Sequence, residues 1–264
     1  MTSYDLFQTE DFDILLNAFK QLQSALSYLK ADISPNPEDP GYIRCHYFLN
    51  DDDFFKKVIE TSGHAIGAPD QQTTISLFVL SYSYRLLALS ICPLFISGVM
   101  PDASPINTAF MIPAGRVSKL SYLSPRLYEK SDSLERDLEA AINNIIVGHL
   151  EILIERIKTS FRIGSKLLWG NVASSSAAVF RTLEGILGKD IIGVGEKFFE
   201  LSPDYVKNQG SFYLLECDGK HGWYWERKNC CLYYKLTSKT KCGDCSLHGK
   251  ETRRENYKNQ LLGK

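Results

Sequence analysis

A chain of 264 residues is long enough to bury a full core, and 44% hydrophobic with 23% charged residues is the balance of a globular protein, which excludes disorder. The net charge of −1 is unevenly spread: from Asp218 to Lys264 eleven Lys/Arg meet five Asp/Glu, so this stretch carries +6 and the remainder −7. A basic tail on an acidic body suits an anionic partner or ligand. The first residues, Met1–Leu16, hold no basic stretch followed by an apolar run, so no secretory signal is expected and the chain should stay in the cytoplasm, where thiols remain reduced.

In chain order, Asp11–Lys30 reads as an amphipathic helix with Phe12, Leu15, Phe19, Leu22, Leu26 and Leu29 on one face. Ser34–Gly41, "SPNPEDPG", reads as a loop that no helix crosses. A second helix opens at Asp51, Asp52 and Asp53, acids placed at the positive helix end. Thr73–Met100 has one charge, Arg85, and the length of a membrane span, yet its Ser and Tyr content, that arginine and an expected break at Pro93 favour a buried core helix. Peripheral membrane association is a further expectation from this segment.

Pro101–Thr108 should interrupt the chain, and "AFMIPAGRVSKLSYL" reads as two short strands about a Pro-Ala-Gly turn. Asp132–Phe161 is the strongest helix, with Asp132 and Glu135 as a capping arrangement and a stripe of Leu134, Leu138, Ile142, Ile145, His149, Ile152 and Ile157. His149 within that stripe is expected to be a hydrogen-bonded core histidine. Further helices are expected over Ser165–Leu187 and at "EKFFEL". Beyond Asp204, Asp218-Gly219 centres a β-hairpin, and the final "KETRRENYKNQLLGK" reads as a frayed basic helix.

Between hairpin and tail lie four of the chain's seven cysteines, Cys230, Cys231, Cys242 and Cys245, in the spacing C-C-x10-C-x2-C. A structural zinc, a disulfide pair and an iron–sulfur cluster are the candidate explanations. Cys242-Gly-Asp-Cys245 makes a good zinc knuckle, with Gly243 allowing a tight backbone, but adjacent Cys230 and Cys231 grip one ion only from an unusual turn. A [2Fe–2S] unit takes two thiolates on each iron and relaxes that demand. Cys45, Cys92 and Cys217 stand singly and read as buried small hydrophobes. His221 and His248 flank the motif, and Trp223, Tyr224, Trp225, Tyr233 and Tyr234 crowd it, half of them facing inward as core.

The motif, ending in "CGDC", resembles that of the ferric siderophore reductases of the FhuF type, matching at all four cysteines and at Gly243 and Asp244. A weaker similarity covers Lys166–Ser175, "KLLWGNVASS", and makes Trp169 and Asn171 candidates near ligand or cluster. This chain departs from the pattern in continuing for nineteen residues past Cys245, a tail not expected to be needed for the chemistry. The resemblance implies a [2Fe–2S] cluster held by Cys230, Cys231, Cys242 and Cys245. It also implies one-electron reduction of Fe³⁺ in an imported siderophore of the hydroxamate type, releasing Fe²⁺ in the cytoplasm; proximity to the inner face of the cytoplasmic membrane is an expectation from the apolar segment Thr73–Met100. The physical logic is sound, because hard-oxygen chelators hold Fe³⁺ far more tightly than Fe²⁺.

No G-x-G-x-x-G follows a strand, so the electron should come from an external donor such as an acidic ferredoxin. The expected fold class is α+β, with a mainly helical siderophore-binding body over 1–205 and a hairpin plus small C-terminal iron–sulfur module over 206–264. The alternatives are a non-enzymatic binding or assembly protein stapled by a four-cysteine zinc, and an iron–sulfur redox or iron sensor. No nucleic-acid-binding pattern accompanies the basic tail.

Overall fold

The structure, a computed structural model, describes residues 3–33, 41–188, 190–237 and 239–263, with side chains described from Asp11 onward; the Pro-rich stretch over 34–40 lies outside the described residues. It is mixed helix and sheet, 59% helical and 15% strand, in keeping with an α+β class.

The first helix, α1 (Ser3–Ala25), starts earlier than its apolar periodicity and ends before Leu26; β1 (Lys30–Ile33) follows. Leu15, Phe19, Leu22 and Leu29 are buried as the periodicity requires. After β2 (Ile43–Arg44) comes the short α2 (Cys45–Asn50), then α3 (Asp52–Ala65), whose N-cap Asp51 accepts from Phe54 N at 2.9 Å, with Asp52 and Asp53 in its first turn.

The apolar segment forms α4 (Gln71–Ser97), capped by Asp70 and ended by Gly98 in the left-handed region at φ 76°. The expected break at Pro93 does not occur: the helix runs through Pro93 and stops at Gly98, whose N–H donates back to the Pro93 carbonyl. By length and composition α4 alone among the described helices is apolar enough to cross a membrane, and 78% of its most apolar stretch is buried inside the protein.

A four-stranded sheet runs β1–β5–β4–β2, with β4 (Thr108–Met111) and β5 (Lys119–Tyr122) as the expected antiparallel pair and β1 parallel to β5. Pro101 does not merely break the chain; it ends β3 (Val99–Pro101), which pairs with β6 (Leu127–Glu129).

The long central helix is α5 (Leu134–Ala141), a π segment (Ile142–Glu151) and α6 (Ile152–Ser160), one continuous rod. Ser133 rather than Asp132 caps it, its Oγ accepting from Arg136 N. The wider π turns shift the buried face. Ile152 of the expected stripe is therefore 46% exposed, while Ile146, Leu150, Leu153 and Ile154 go inside. Leu134 is also exposed.

His149 is fully buried, with Nε2 2.6 Å from Tyr82 Oη and Nδ1 against the Ala103 carbonyl. Burial lowers its pKa from 6.5 to about 4. The folded state therefore binds fewer protons than the unfolded chain between these values, so the stabilisation is complete above pH 6.5 and is lost as pH falls toward 4. A loss of about 3 kcal/mol is expected across that window. Denaturant midpoints against pH should show it, and His149→Gln should flatten the slope.

Next comes α7 (Ser165–Leu187), with the expected bounds, which packs along α4. Contacts advance together (Ser76 with Asn171, Ser83 with Ser175, Tyr84 with Thr182), so the two helices run parallel. The small residues Ala173 to Ala178 of α7 allow this close approach. After α8 (Ile192–Leu201) and α9 (Asp204–Lys207), the strands β7 (Gly210–Cys217) and β8 (Lys220–Arg227) form the hairpin, turning at Asp218 (φ 52°) and Gly219 (φ 73°). Trp225 faces the body and stacks on Phe199 at 4.6 Å, while Tyr224 is buried on the opposite face of the hairpin. The tail forms α10 (Lys250–Leu262), which docks on this hairpin through buried Tyr257, stacked on Tyr224 at 4.2 Å.

Candidate metal centre

Two of the four motif thiols meet: Cys230 Sγ lies 3.4 Å from Cys245 Sγ. Cys231 interacts electrostatically with Cys230 and with Cys242. Cys231 and Cys245 are buried, Cys230 and Cys242 half-buried, and all seven cysteines are free thiols. Among the described residues, no three or more His, Cys, Asp or Glu side chains are placed to hold a metal ion as they stand.

The pair Cys230-Cys231 needs an unusual turn, and Leu232 supplies it. Its φ of 65° is left-handed, an uncommon state for a branched side chain, and its N–H reaches back to Cys230 Sγ at 3.4 Å. The turn continues as a 3₁₀ segment over Tyr233–Lys235. The second knuckle is closed by Cys245 N donating to the Cys242 carbonyl at 3.0 Å.

Gly243 is not needed there for its backbone. It has no positive φ, and an added Cβ would meet only Asn256 at 3.5 Å, ordinary contact. Gly243→Ala should therefore leave the melting temperature and the metal content unchanged. The tail packs against the second knuckle, where Asn256 of α10 donates to the Gly243 carbonyl at 3.0 Å.

Charge is concentrated at Cys231. Hydrogen bonds from the Cys230 and Cys242 thiols, followed by the field of Arg227 and the Tyr233 N–H, hold its thiol far below the usual range. The same hydrogen bonds and burial push Cys230 and Cys242 up, and for Cys242 the Asp244 carboxylate adds to this.

Beneath the loop lies a buried polar network that the sequence revealed only in part. Asn171 donates through Nδ2 to the Ser76 carbonyl and hydroxyl, both at 2.8 Å, and accepts from Arg227 at 3.1 Å. Ser76 Oγ donates to the Cys231 carbonyl at 2.8 Å, and Arg227 Nε to the Asn229 carbonyl at 2.6 Å. Asn171 thus fixes both ends of the segment carrying Cys230 and Cys231.

Gly170 lets that segment approach: a Cβ there would sit 2.9 Å from Asn229 Cβ and Nδ2. Gly170→Ala is expected to displace Asn229 and lower metal retention, measurable as bound metal per folded chain after dialysis. Trp169 packs on Tyr205, ring centroids 4.3 Å apart.

Of the single cysteines, Cys45 and Cys92 are fully buried as expected, and burial raises the Cys45 pKa to about 11. Cys217 is instead half-exposed at the end of β7. His221 is exposed and lines a separate cleft with Glu184, Asp190 and Glu216; His248 contributes a backbone N–H to the Cys245 carbonyl.

A cleft of about 340 Å³ opens where α4, α7 and the cysteine loop meet. Arg85, Arg116 and Arg227 line it, with Tyr84, Tyr233 and one carboxylate, Asp244. Arg227, Tyr233 and Asp244 each lie within three residues of a motif cysteine.

Compared with models of known protein families this chain matches none, and no curated protein matches it.

Proposed function

We propose that this protein reduces Fe³⁺ in a ferric siderophore by one electron, as its cysteine motif's likeness to the FhuF-type reductases implies, and so releases Fe²⁺ in the cytoplasm. The observation that carries the reading is the close approach of Cys230 and Cys245 within the four-cysteine motif, beside a cleft lined by Arg227, Tyr233 and Asp244. Two thiolates on one tetrahedral ion with metal–sulfur bonds near 2.3 Å sit about 3.8 Å apart. The 3.4 Å between Cys230 and Cys245 is close to that spacing before any metal draws the pair. A two-iron unit takes four thiolates, so Cys230, Cys231, Cys242 and Cys245 would hold a [2Fe–2S] cluster. Such a cluster, when bound, supplies one electron at a time.

The chain's own residues do the rest. Ser76, Asn171 and Arg227 hold the Cys230-Cys231 loop, and Asn256 holds the second knuckle. Buried Arg227 offsets the negative charge that four thiolates gather. Lys228, Lys239, Lys241 and Lys250, close in sequence to the motif, are exposed and suit an acidic donor such as a ferredoxin.

The test is direct. Protein reduced anaerobically and freed of reductant should be reoxidised by a ferric chelate, with Fe²⁺ trapped by a ferrous-specific dye at one equivalent per chain. Reduced protein that transfers no electron to any ferric chelate contradicts the proposal.

A further inference from the structure

We propose that the cleft beside the cysteine loop binds the ferric chelate and selects complexes of net negative charge, their carboxylate or phenolate oxygens met by Arg85 and Arg116 in the field of Arg227. This rests on the reductase reading above and adds the charge class of the substrate.

Three guanidinium groups line one cleft against a single carboxylate, Asp244, and none of the three forms an ion pair among the described residues. Arg85 is the lone charge of the apolar helix α4. Its Nε is buried without a hydrogen-bond partner, and its one side-chain bond is a long 3.4 Å contact to the Ser81 carbonyl. Burial acts against its charge, and the nearby Arg116 adds repulsion. Arg116 lies over the Tyr233 ring at 5.1 Å, its guanidinium thereby oriented but unpaired.

Buried or half-buried cations without counter-charge are costly, and an anionic ligand removes the cost. The volume falls within the range of small-molecule sites. A larger cleft nearby, lined by Glu184, Asp190 and Glu216, would repel the same ligand. Fe³⁺ held by three singly charged hydroxamates is neutral and gains little from this cleft. Catecholates, hydroxycarboxylates, or hydroxamates bearing free carboxylates leave the complex anionic.

The experiment uses redox-inert Ga³⁺ chelates, so that binding is read apart from electron transfer. Intrinsic tryptophan fluorescence of the full chain is titrated with a neutral gallium tris-hydroxamate and with its carboxylated analogue. The carboxylated chelate should bind about tenfold tighter or more, and the advantage should shrink as salt rises from about 0.05 to 0.5 M. Arg85→Gln and Arg116→Gln should each remove most of that advantage while changing the neutral chelate's affinity less than about threefold, and Arg116→Lys should keep part of it.

Equal affinity for the two chelates, with no salt dependence, overturns the charge selection and leaves the reductase reading standing. An advantage unchanged in both Gln variants overturns the assignment to this cleft. Failure of both chelates to bind overturns both this inference and the reading beneath it.

Discussion

Cys242→Ser should yield a folded protein without visible absorption bands, and its ferric-chelate reduction should drop to the level of buffer alone. Serine's hydroxyl does not ionise at neutral pH and is a poor ligand for a thiophilic metal. The swap is nearly isosteric, and Cys242 is only half-buried, its thiol touching Cys231 and Asp244. Little packing is therefore lost, and the neighbouring knuckle remains tied to α10 through Asn256. Circular dichroism should be unchanged while colour and activity vanish together. Cys92→Ser is the opposite control: that thiol is fully buried and remote from the motif, so the variant should keep its colour and lose stability by about 1–3 kcal/mol for a buried hydroxyl. A colourless Cys242→Ser protein that still reduces ferric chelates would sink the mechanism.

Asn171→Ala is expected to be the most damaging change outside the cysteines. Asn171 is fully buried and serves three partners, the Ser76 carbonyl and hydroxyl and the Arg227 guanidinium. Alanine leaves a buried cation short of one acceptor and frees the seat of the Cys231 carbonyl. A cost of about 2–4 kcal/mol follows from unsatisfied buried groups next to a charge. For a chain of this size that corresponds to a melting temperature lower by about 4–15 °C. The loss of bound metal should exceed the loss of fold, because the loop carrying Cys230 and Cys231 is released first. Asn171→Asp keeps the acceptor for Arg227 and removes the donor to Ser76, so it should fall between wild type and alanine. Equal metal retention in all three proteins would show that the network does not position the loop.

Sequence periodicity located the helices wherever turns were regular and capped, as for α3 and α7, and the Asp-Gly pair located the hairpin because both turn residues adopt positive φ. It misjudged α5–α6, since a π segment leaves no signature in a pattern built on 3.6 residues per turn. It passed over α2, β1 and β6, which are too short for periodicity and form through tertiary contacts.

The cysteines were legible from spacing, and the Leu-Trp-x-Asn segment from its likeness to a family pattern. Their connection was not, because Ser76, Asn171 and Arg227 are separated by up to 155 residues when measured from Ser76 to the Cys231 carbonyl it holds. Arg85 did announce itself, as the lone charge in an apolar helix; only the fold brings Arg116 and Arg227 to the same cleft.

The central claim, that the four thiols hold a two-iron cluster, is tested most directly by metal and acid-labile sulfide analysis of anaerobically purified protein, with absorption spectra before and after dithionite. The account predicts about two irons and two sulfides per chain and visible bands that bleach on reduction. A colourless protein carrying about one zinc would contradict it and make the cysteines a structural staple.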